Sequence, residues 1–420
     1  MIEGGTDVKF GIIGLGYVGL ATLCGLAKAG HHVIGVEADE EKLRLLMSGH
    51  PPFHEPGMAE VLQEHADQIT LTSRIADTEQ VDYLILAVGT PSKSDGSCDL
   101  SYIEAVLSEL NTKHKIVIRS SVPPGTTDLL NIMYPSHTFA IVPEFLQEGR
   151  ALADVMKPHR VVIGCVNLEV AEELAGIYGR LGVPLICTTP INAELIKYAS
   201  NAFLATKISF MNDLSRLADQ AGADISTIAD GMGLDPRIGR SFLNAGIGYG
   251  GSCFPKDMNA LLHVASENEI DLRVIRAATK VNETQIEYVL SKLNVEPNMR
   301  VAILGLAFKP GTDDMRDAPS ILLAHHMVAR NMDVIGYDPI ATWDYPQATT
   351  VEEALKGADY AILVTEWDEI VNLAPDAFNG MRQRRLIDAR NAWKFARDPG
   401  DVSYEGIGRM QRPSNTPTSN

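Results

Sequence analysis

Short runs of apolar and β-branched residues recur along the first half of the chain, each followed by a stretch with helical spacing of its apolar positions. Lys9–Ile13, His32–Glu37, Tyr83–Val88, Lys115–Arg119, Phe139–Val142 and Arg160–Gly164 read as strands. They are apolar throughout rather than alternating, which predicts a parallel sheet covered by helices on both faces. From about Pro190 to Asn294 such runs vanish and helical periodicity takes over, with a long helix from about Ala193. The alternation returns at Val301–Leu304, Asp333–Tyr337, Tyr360–Val364 and Leu386–Asp388.

The two α/β stretches echo each other. DTEQVDYLILAVGTP near Asp77 and ALKGADYAILVTEW near Leu355 each read as a helix end, a turn and a buried strand. The expected class is α/β, with two Rossmann-like doubly wound parallel-sheet domains joined by a helical central region containing the long helix. The boundaries fall at 1–190, 191–295 and 296–411, and a Pro-, Ser-, Thr- and Asn-rich tail, 412–420, is expected to be disordered. A chain of 420 residues exceeds what one core organises, which agrees with this division.

Charge and cysteine usage narrow the function. A net charge of −18 argues against a nucleic-acid partner, so any anionic ligand needs a local basic pocket. Cys24, Cys98, Cys165, Cys187 and Cys253 are widely spaced without a CxxC, which argues against a metal site or disulfide framework and fits a reducing cytoplasm. Cys24, Cys165 and Cys187 lie in apolar runs and read, with Cys98, as small buried hydrophobes. Phe10–Ala27 carries no charge and approaches membrane-span length. It is glycine-rich and preceded by Glu3 and Asp7, so a strand, turn and helix explain it, and no membrane partner is expected.

KFGIIGLGYVGLATLCGLAKAGHHVIGVE supplies Gly14, Gly16 and Gly19 in GxGxxG spacing between a strand and a helix, with Glu37 ending the second strand. The glycines allow a tight turn, close backbone approach to a pyrophosphate and helix-on-strand packing. Glu37 can accept from ribose hydroxyls. Asp39, Glu40 and Glu41 follow it and would repel a 2′-phosphate, so NAD is the expected cofactor. Lys42 either flanks the ribose or sits on a solvated helix face.

FLNAGIGYGGSCFPKD, Phe242 to Asp257, places Cys253 in a glycine-dense loop beside Lys256. Such a thiol has the means for a lowered pKa and an accessible thiolate. Lys197 and Asn201 stand four residues apart on one helix face and are both donors, as an oxyanion hole needs.

These segments, with VGTPSKSDGSCDLS, RSSVPPGTT, VPEFLQEG, AELIKYASNAFLATKISFMNDL and GLAFKPGTDDMRDAPS, occur in an order that resembles the UDP-glucose/GDP-mannose dehydrogenase family from about Lys9 to Ala392. The resemblance implies two successive NAD-dependent oxidations of a nucleotide-sugar C6 alcohol, through a thiohemiacetal and a thioester on Cys253. The UDP-glucose branch fits best, giving UDP-glucuronate. GDP-mannose or a UDP-N-acetylhexosamine is the nearest alternative, followed by a two-electron hydroxyacid dehydrogenase and a non-catalytic sensor. It further implies that Glu144, Glu148 and Asp257 handle water and protons, and that Ser121 lies near the nicotinamide. Tyr17, Val18, Thr90, Pro91, Lys256 and Arg316 join the glycines and Glu148 around the cofactor. Phe145, Leu146, Arg240, Phe242, Leu243, Asn244, Gly246, Tyr249, Gly250, Phe308 and Lys309 join Lys197 and Asn201 around the substrate, with Arg390 reaching across a subunit boundary. A homodimer about the long helix follows. GLAFKPGTDD departs from GxGxxG, so a second dinucleotide is not expected.

Overall fold

The computed structural model describes residues 8–294 and 296–409; the tail 412–420 lies outside the described residues. The chain forms two compact units. Unit 1 runs up to Ser200 and includes Asn259–Ile270; unit 2 holds Asn201–Met258 and everything from Asp271. The division falls inside the long helix Pro190–Ala221 and inside the helix Phe254–Glu267.

Unit 1 is built on β1 (Phe10–Ile13), β2 (Val33–Val36), β3 (Ile69–Thr72), β4 (Tyr83–Leu86), β5 (Lys115–Ile118), β6 (Thr138–Ile141), β7 (Val161–Cys165) and β8 (Leu185–Thr188). Their order is β3-β2-β1-β4-β5-β6-β7-β8, so the winding reverses between β1 and β4, where open α/β sheets bind ligands. The central strands are buried on both faces, with Ile12, Ile85 and Val117 in one core cluster and Ile13, Leu86 and Ile118 in another.

One expectation fails here. β7 runs antiparallel to β6, whereas every other neighbouring pair of this sheet is parallel. The connection, which includes the short helix Ala151–Met156, re-enters the sheet at the end where β6 left it, although the equally long connection from β5 to β6 crosses over to give a parallel pair. The strands β3 and β8 also escape the apolar-run pattern, because ITLT and LICT are half-exposed. Cys187 on β8 is exposed rather than buried, since β8 is the edge strand of the sheet.

Unit 2 carries β9 (Arg300–Leu304), β10 (Asp333–Tyr337), β11 (Tyr360–Leu363), β12 (Arg385–Asp388) and β13 (Ser403–Gly406), in the order β10-β9-β11-β12-β13 and parallel throughout. Met211, Ile225, Ile286 and Leu290 from the helices share one core with Val301, Ile303 and Ile362 from the sheet, which joins the helices and the sheet into one unit. β13 was not expected from sequence; SYEG has no apolar run.

The long helix buries polar side chains among its apolar ones and leaves several large apolar ones exposed. Glu194, Lys197, Asn201, Ser209, Asn212 and Ser215 are buried, while Ile191, Leu195, Phe203, Phe210 and Leu217 are exposed. Among the described residues, no helix is long and apolar enough to cross a membrane.

Gly19 packs so tightly on the β1 turn that a Cβ there would strike the backbone carbonyl of Gly14. Backbone cannot move aside as a flexible side chain can. Gly19→Ala is therefore expected to lower unfolding free energy by more than ~3 kcal/mol, read from urea denaturation. An unchanged midpoint would contradict this packing.

Candidate active site

In unit 1 the chain leaves β1 through Gly14, which holds φ at 90°. Gly16 precedes the first helical residue of Tyr17–Lys28, no side chain caps that helix, and its first turn carries no acidic residue. A Cβ at Gly16 would meet nothing within 4 Å. The N–H groups that a helix start leaves without intrahelical partners thus border open space, a setting for a pyrophosphate. The Glu37 carboxylate accepts from Leu15 N and Asp39 N, both at 3.1 Å, and is held beside the turn. Tyr17 stacks on Phe53 with centroids 3.9 Å apart, and the Val18 carbonyl accepts from Thr22 Oγ1 at 2.7 Å. Lys42 is exposed on the helix Glu40–Met47, which Asp39 caps.

Thr90 Oγ1 donates to the Ser121 carbonyl at 2.8 Å, joining the loops after β4 and β5, with Pro91 next in line. The loop after β6 carries Glu144, whose Oε1 lies 2.5 Å from Lys197 Nζ and whose Oε2 accepts from Leu146 N at 2.6 Å. Lys197 is only 4% exposed, so its ammonium depends on that carboxylate. Phe145 lies 3.7 Å beneath the Arg160 guanidinium. The far end of this loop, holding Glu148, is pinned by Glu55, whose carboxylate accepts from Gly149 N and Ala151 N at 2.7 Å.

In unit 2, Cys253 immediately precedes the helix Phe254–Glu267, and its carbonyl accepts from Asp257 N at 2.9 Å. Asp257 is buried and accepts from Asn201 Nδ2 at 2.7 Å and from Lys256 Nζ at 2.8 Å. Lys256 is thus committed to the acid a turn after the thiol. The Cys253 sulfur sits 3.6 Å from Ser252 Oγ.

The glycine loop before the thiol is held at every step. Asn212 Oδ1 accepts from Gly246 N at 2.8 Å, and Gln285 Nε2 donates to Gly246 O at 2.7 Å. Asn282 mimics a strand neighbour for Tyr249, accepting from its N at 2.8 Å and donating to its O at 3.0 Å. A Cβ at Gly250 would strike the Asp317 carbonyl, and one at Gly251 would lie 2.6 Å from the Phe308 ring. Arg390 donates to the carbonyls of Val364, Gly248 and Phe308 at 2.7, 3.1 and 3.2 Å.

Three profiles match the chain: the NAD binding, central and UDP binding domains of the UDP-glucose/GDP-mannose dehydrogenase family, over residues 8–182, 191–284 and 302–395. The chain belongs to this family. It is 39% identical to UDP-glucose 6-dehydrogenase YwqF of Bacillus subtilis over 95% of its length and 97% of the relative's. A solved UDP-glucose dehydrogenase from Pyrobaculum islandicum superposes with a TM-score of 0.91 at 32% identity, covering 98% of this chain and 100% of that one. A UDP-D-ManNAc dehydrogenase from Pyrococcus horikoshii gives 0.85 at 28% identity, covering 96% and 99%. As a member of this family the protein is an oxidoreductase that uses NAD and takes a nucleotide sugar. Gly14, Gly16 and Glu37 fit that cofactor as placed.

Other expected site residues of this family member stand apart from the thiol's hydrogen-bonded surroundings. Arg240 Nε pairs with Asp230 at 2.6 Å, and Asn244 is exposed. Leu243 is a core residue of unit 2. Phe242 adopts a φ of 65° and its ring lies 6.2 Å from that of Phe254. Lys309 Nζ stands 5.5 Å from the Phe308 ring, and the exposed Arg316 is bidentate on Asp314. Sequence reading gave no role to Asn212, although it lies in AELIKYASNAFLATKISFMNDL, and missed Asn282, Gln285 and Glu55, which carry no local motif; all four act on loops far along the chain.

In the second sheet Asp338, following β10, accepts from Leu306 N and Ala307 N at 2.7 and 3.1 Å, and so occupies the amides of its own glycine turn. The next helix, Pro319–Val328, begins well after that turn. A helix-start phosphate cradle like that of β1 is not built.

The cysteines differ in reactivity. Burial pushes the Cys24 thiol up to about 12 and also raises Cys165. With site-resolved iodoacetamide labelling near neutral pH, Cys24 and Cys165 should stay unlabelled while Cys187 reacts. Asn282→Ala removes both Tyr249 bonds and should change the Cys253 labelling rate while lowering stability by ~1–3 kcal/mol. Unaltered Cys253 labelling would show that Asn282 does not hold the loop.

Proposed function

We propose that the protein oxidises the C6 alcohol of UDP-glucose to the carboxylate of UDP-glucuronate, with Cys253 as the covalent nucleophile. The observation that carries this is the arrangement about the thiol: Cys253 begins a helix, and one turn later Asp257 is hydrogen-bonded to Asn201. A helix start favours negative charge on that sulfur, and an ordered carboxylate–amide pair is built on the residue one turn further along. Sequence similarity to UDP-glucose 6-dehydrogenases supports the choice of sugar nucleotide.

Gly14, Gly16, Tyr17, Val18, Gly19 and Glu37 hold NAD, with Lys42, Thr90, Pro91, Ser121, Glu148, Lys256 and Arg316 completing its surroundings. Bound NAD supplies the hydride acceptor for both oxidations. In the first, the C6 hydroxyl loses its proton as a hydride leaves C6, giving an aldehyde. The Cys253 thiolate then adds to the aldehyde carbon, and the resulting thiohemiacetal loses a second hydride and a proton to become a thioester. Water adds, the C–S bond breaks, and the thiolate is restored with the acid released. Lys197 and Asn201 donate to the oxygen that carries negative charge at each stage. Glu144, Glu148 and Asp257 hold the water and its protons. The covalent adduct keeps the aldehyde from escaping between the two oxidations.

The substrate reading assigns Phe145, Leu146, Gly246, Tyr249, Gly250, Phe308 and Lys309 to the sugar nucleotide. It makes Arg390 a substrate contact across a subunit boundary; within its own chain Arg390 donates to the carbonyls of Val364, Gly248 and Phe308. The proposal includes the reducing cytoplasm in which an exposed Cys187 and a reactive Cys253 persist as thiols. It also includes a homodimer, because the exposed Ile191, Leu195, Phe203, Phe210 and Leu217 form an apolar stripe on one helix.

Purified protein with NAD and UDP-glucose should yield two NADH per UDP-glucuronate. Turnover of UDP-N-acetylmannosamine in place of UDP-glucose would move the substrate assignment, and one NADH per sugar would remove the covalent scheme. Cys253→Ser should reduce overall turnover by at least ~1,000-fold, as loss of a covalent nucleophile does. Phe203→Asp with Phe210→Asp should convert the dimer to monomer in analytical ultracentrifugation; an unchanged sedimentation coefficient would reject the stripe as the interface.

A further inference from the structure

We infer that unit 1 contains a second ligand site, for a small apolar carboxylate, in a cavity of about 230 Å³ behind the loop that carries Glu144 and Phe145. None of Gly14, Gly16, Glu37, Thr90 and Ser121 lines it. Its walls come from the second half of the helix Tyr17–Lys28, the helix Ala151–Met156 and the end of the helix Leu168–Gly179. Leu26, Met156 and Ile177 give these walls an apolar character.

Two guanidiniums break that character. Arg119 is 8% exposed, and its bonds go to neutral oxygens: Thr22 Oγ1 at 3.0 Å and the Val142 carbonyl at 3.4 Å. Arg160 donates to Ser200 Oγ at 3.1 Å and lies over the Phe145 ring, and burial lowers its pKa. Neither has a carboxylate within ion-pair distance among the described residues. The two acids that line the cavity are committed elsewhere. Glu144 pairs with Lys197, and Asp154 pairs with Arg150 Nε at 2.9 Å and accepts from Gln147 N at 3.0 Å. Exposed Lys28 and Arg180 stand among the lining residues and add positive charge.

A buried charge met only by neutral dipoles is poorly compensated, and a planar carboxylate matches guanidinium geometry two bonds at a time. The apolar walls require that the rest of the ligand be hydrocarbon. A cavity of ~150 Å³ accommodates benzene, so this larger one has room for a ring with a short acid chain. The occupant would rest against the back of the Phe145 loop and against the arginine stacked on it. The assignment is independent of which nucleotide sugar the enzyme oxidises.

The test is calorimetric titration of the full-length protein, saturated with NAD, with 3-phenylpropionate and with its neutral analogue 3-phenylpropan-1-ol. The acid should bind at one per chain and at least ~10-fold more tightly than the alcohol, a charge-assisted bond being the difference. Arg119→Met removes an uncompensated buried charge and should fold normally while losing that preference. Ala29→Phe, which narrows the cavity and leaves both arginines, should abolish binding of both compounds. Equal affinity for acid and alcohol, no binding to the NAD-saturated wild-type protein, or displacement of the acid by UDP-glucose would each overturn the proposal.

Discussion

The structure depends on the polar side chains that its long helix buries. Along Pro190–Ala221, Glu194, Lys197, Asn201, Ser209, Asn212 and Ser215 are buried beside Ala193, Tyr198, Ala202, Ala205 and Met211, while Phe203, Phe210 and Leu217 are exposed. Burying polar groups costs free energy unless each finds a partner. Glu194 accepts from Gly125 N, Thr127 N and Thr127 Oγ1; Lys197 takes Glu144; Asn201 takes Asp257. Ser209 donates to the Ala278 carbonyl and Asn212 accepts from Gly246 N. Every one of these partners lies outside the helix, and several lie on loops. Glu194 and Lys197 hold loops of unit 1, and Asn201, Ser209 and Asn212 meet partners of unit 2. Breaking one such buried pair by removing a single partner costs about 3–5 kcal/mol where charge is involved, so the loops cannot drift without a large loss.

That dependence explains the glycine pattern about the thiol. A loop that must meet side chains from Asn212, Asn282 and Gln285 within hydrogen-bond distance, and also pass the Asp317 carbonyl and the Phe308 ring, has no room for a side chain at Gly246, Gly248, Gly250 or Gly251. Glycine there is a packing requirement as much as a conformational one. The result is a thiol on a preorganised segment, held by side chains that are themselves locked. The two sheets show the same economy in the acid that follows their second strand. Glu37 bonds one amide of its glycine turn, and the helix begins at once. Asp338 bonds two, and its helix begins later. A one-residue difference in the acid and a displaced helix start separate a dinucleotide cradle from a turn that closes on itself.

What the sequence discloses follows the same physics. Strands buried on both faces announce themselves as apolar runs, so β1, β4, β5, β9 and β11 are legible from Ile12, Ile85, Val117, Ile303 and Ile362. The edge strands β3, β8 and β13 are half-exposed and mix polar with apolar residues, so their pattern resembles that of a loop. The direction of β7 is not encoded in VVIGC at all, and connection length does not encode it either, since the equally long link from β5 to β6 gives a parallel pair. Cys253 is legible because a dense glycine run is rare and specific. Asn282 and Gln285 are not, because an amide on an amphipathic helix looks the same whether it faces water or a loop more than thirty residues earlier in the chain. The Lys197–Asn201 spacing shows a shared face, but only the fold shows that each side chain has a carboxylate of its own.

In the proposed dimer, the same helix would tie assembly to chemistry. A run of apolar side chains at Ile191, Leu195, Phe203, Phe210 and Leu217 exposed to water is unfavourable unless another surface covers it. In the proposed dimer, that cover and the polar attachments lie on opposite sides of one cylinder about 10–12 Å across. The helix backbone is continuous, so a rotation that improves packing on the apolar side swings Lys197 and Asn201 by the same angle on the other. The two donors would then move as a pair while their carboxylates stay in place, Glu144 on the loop after β6 and Asp257 on the helix Phe254–Glu267. In the proposed dimer, interface packing and the geometry of the two proposed donors would therefore be constrained together. A helix whose outer face were polar could tolerate such a rotation, whereas in that dimer this one would be held from both sides.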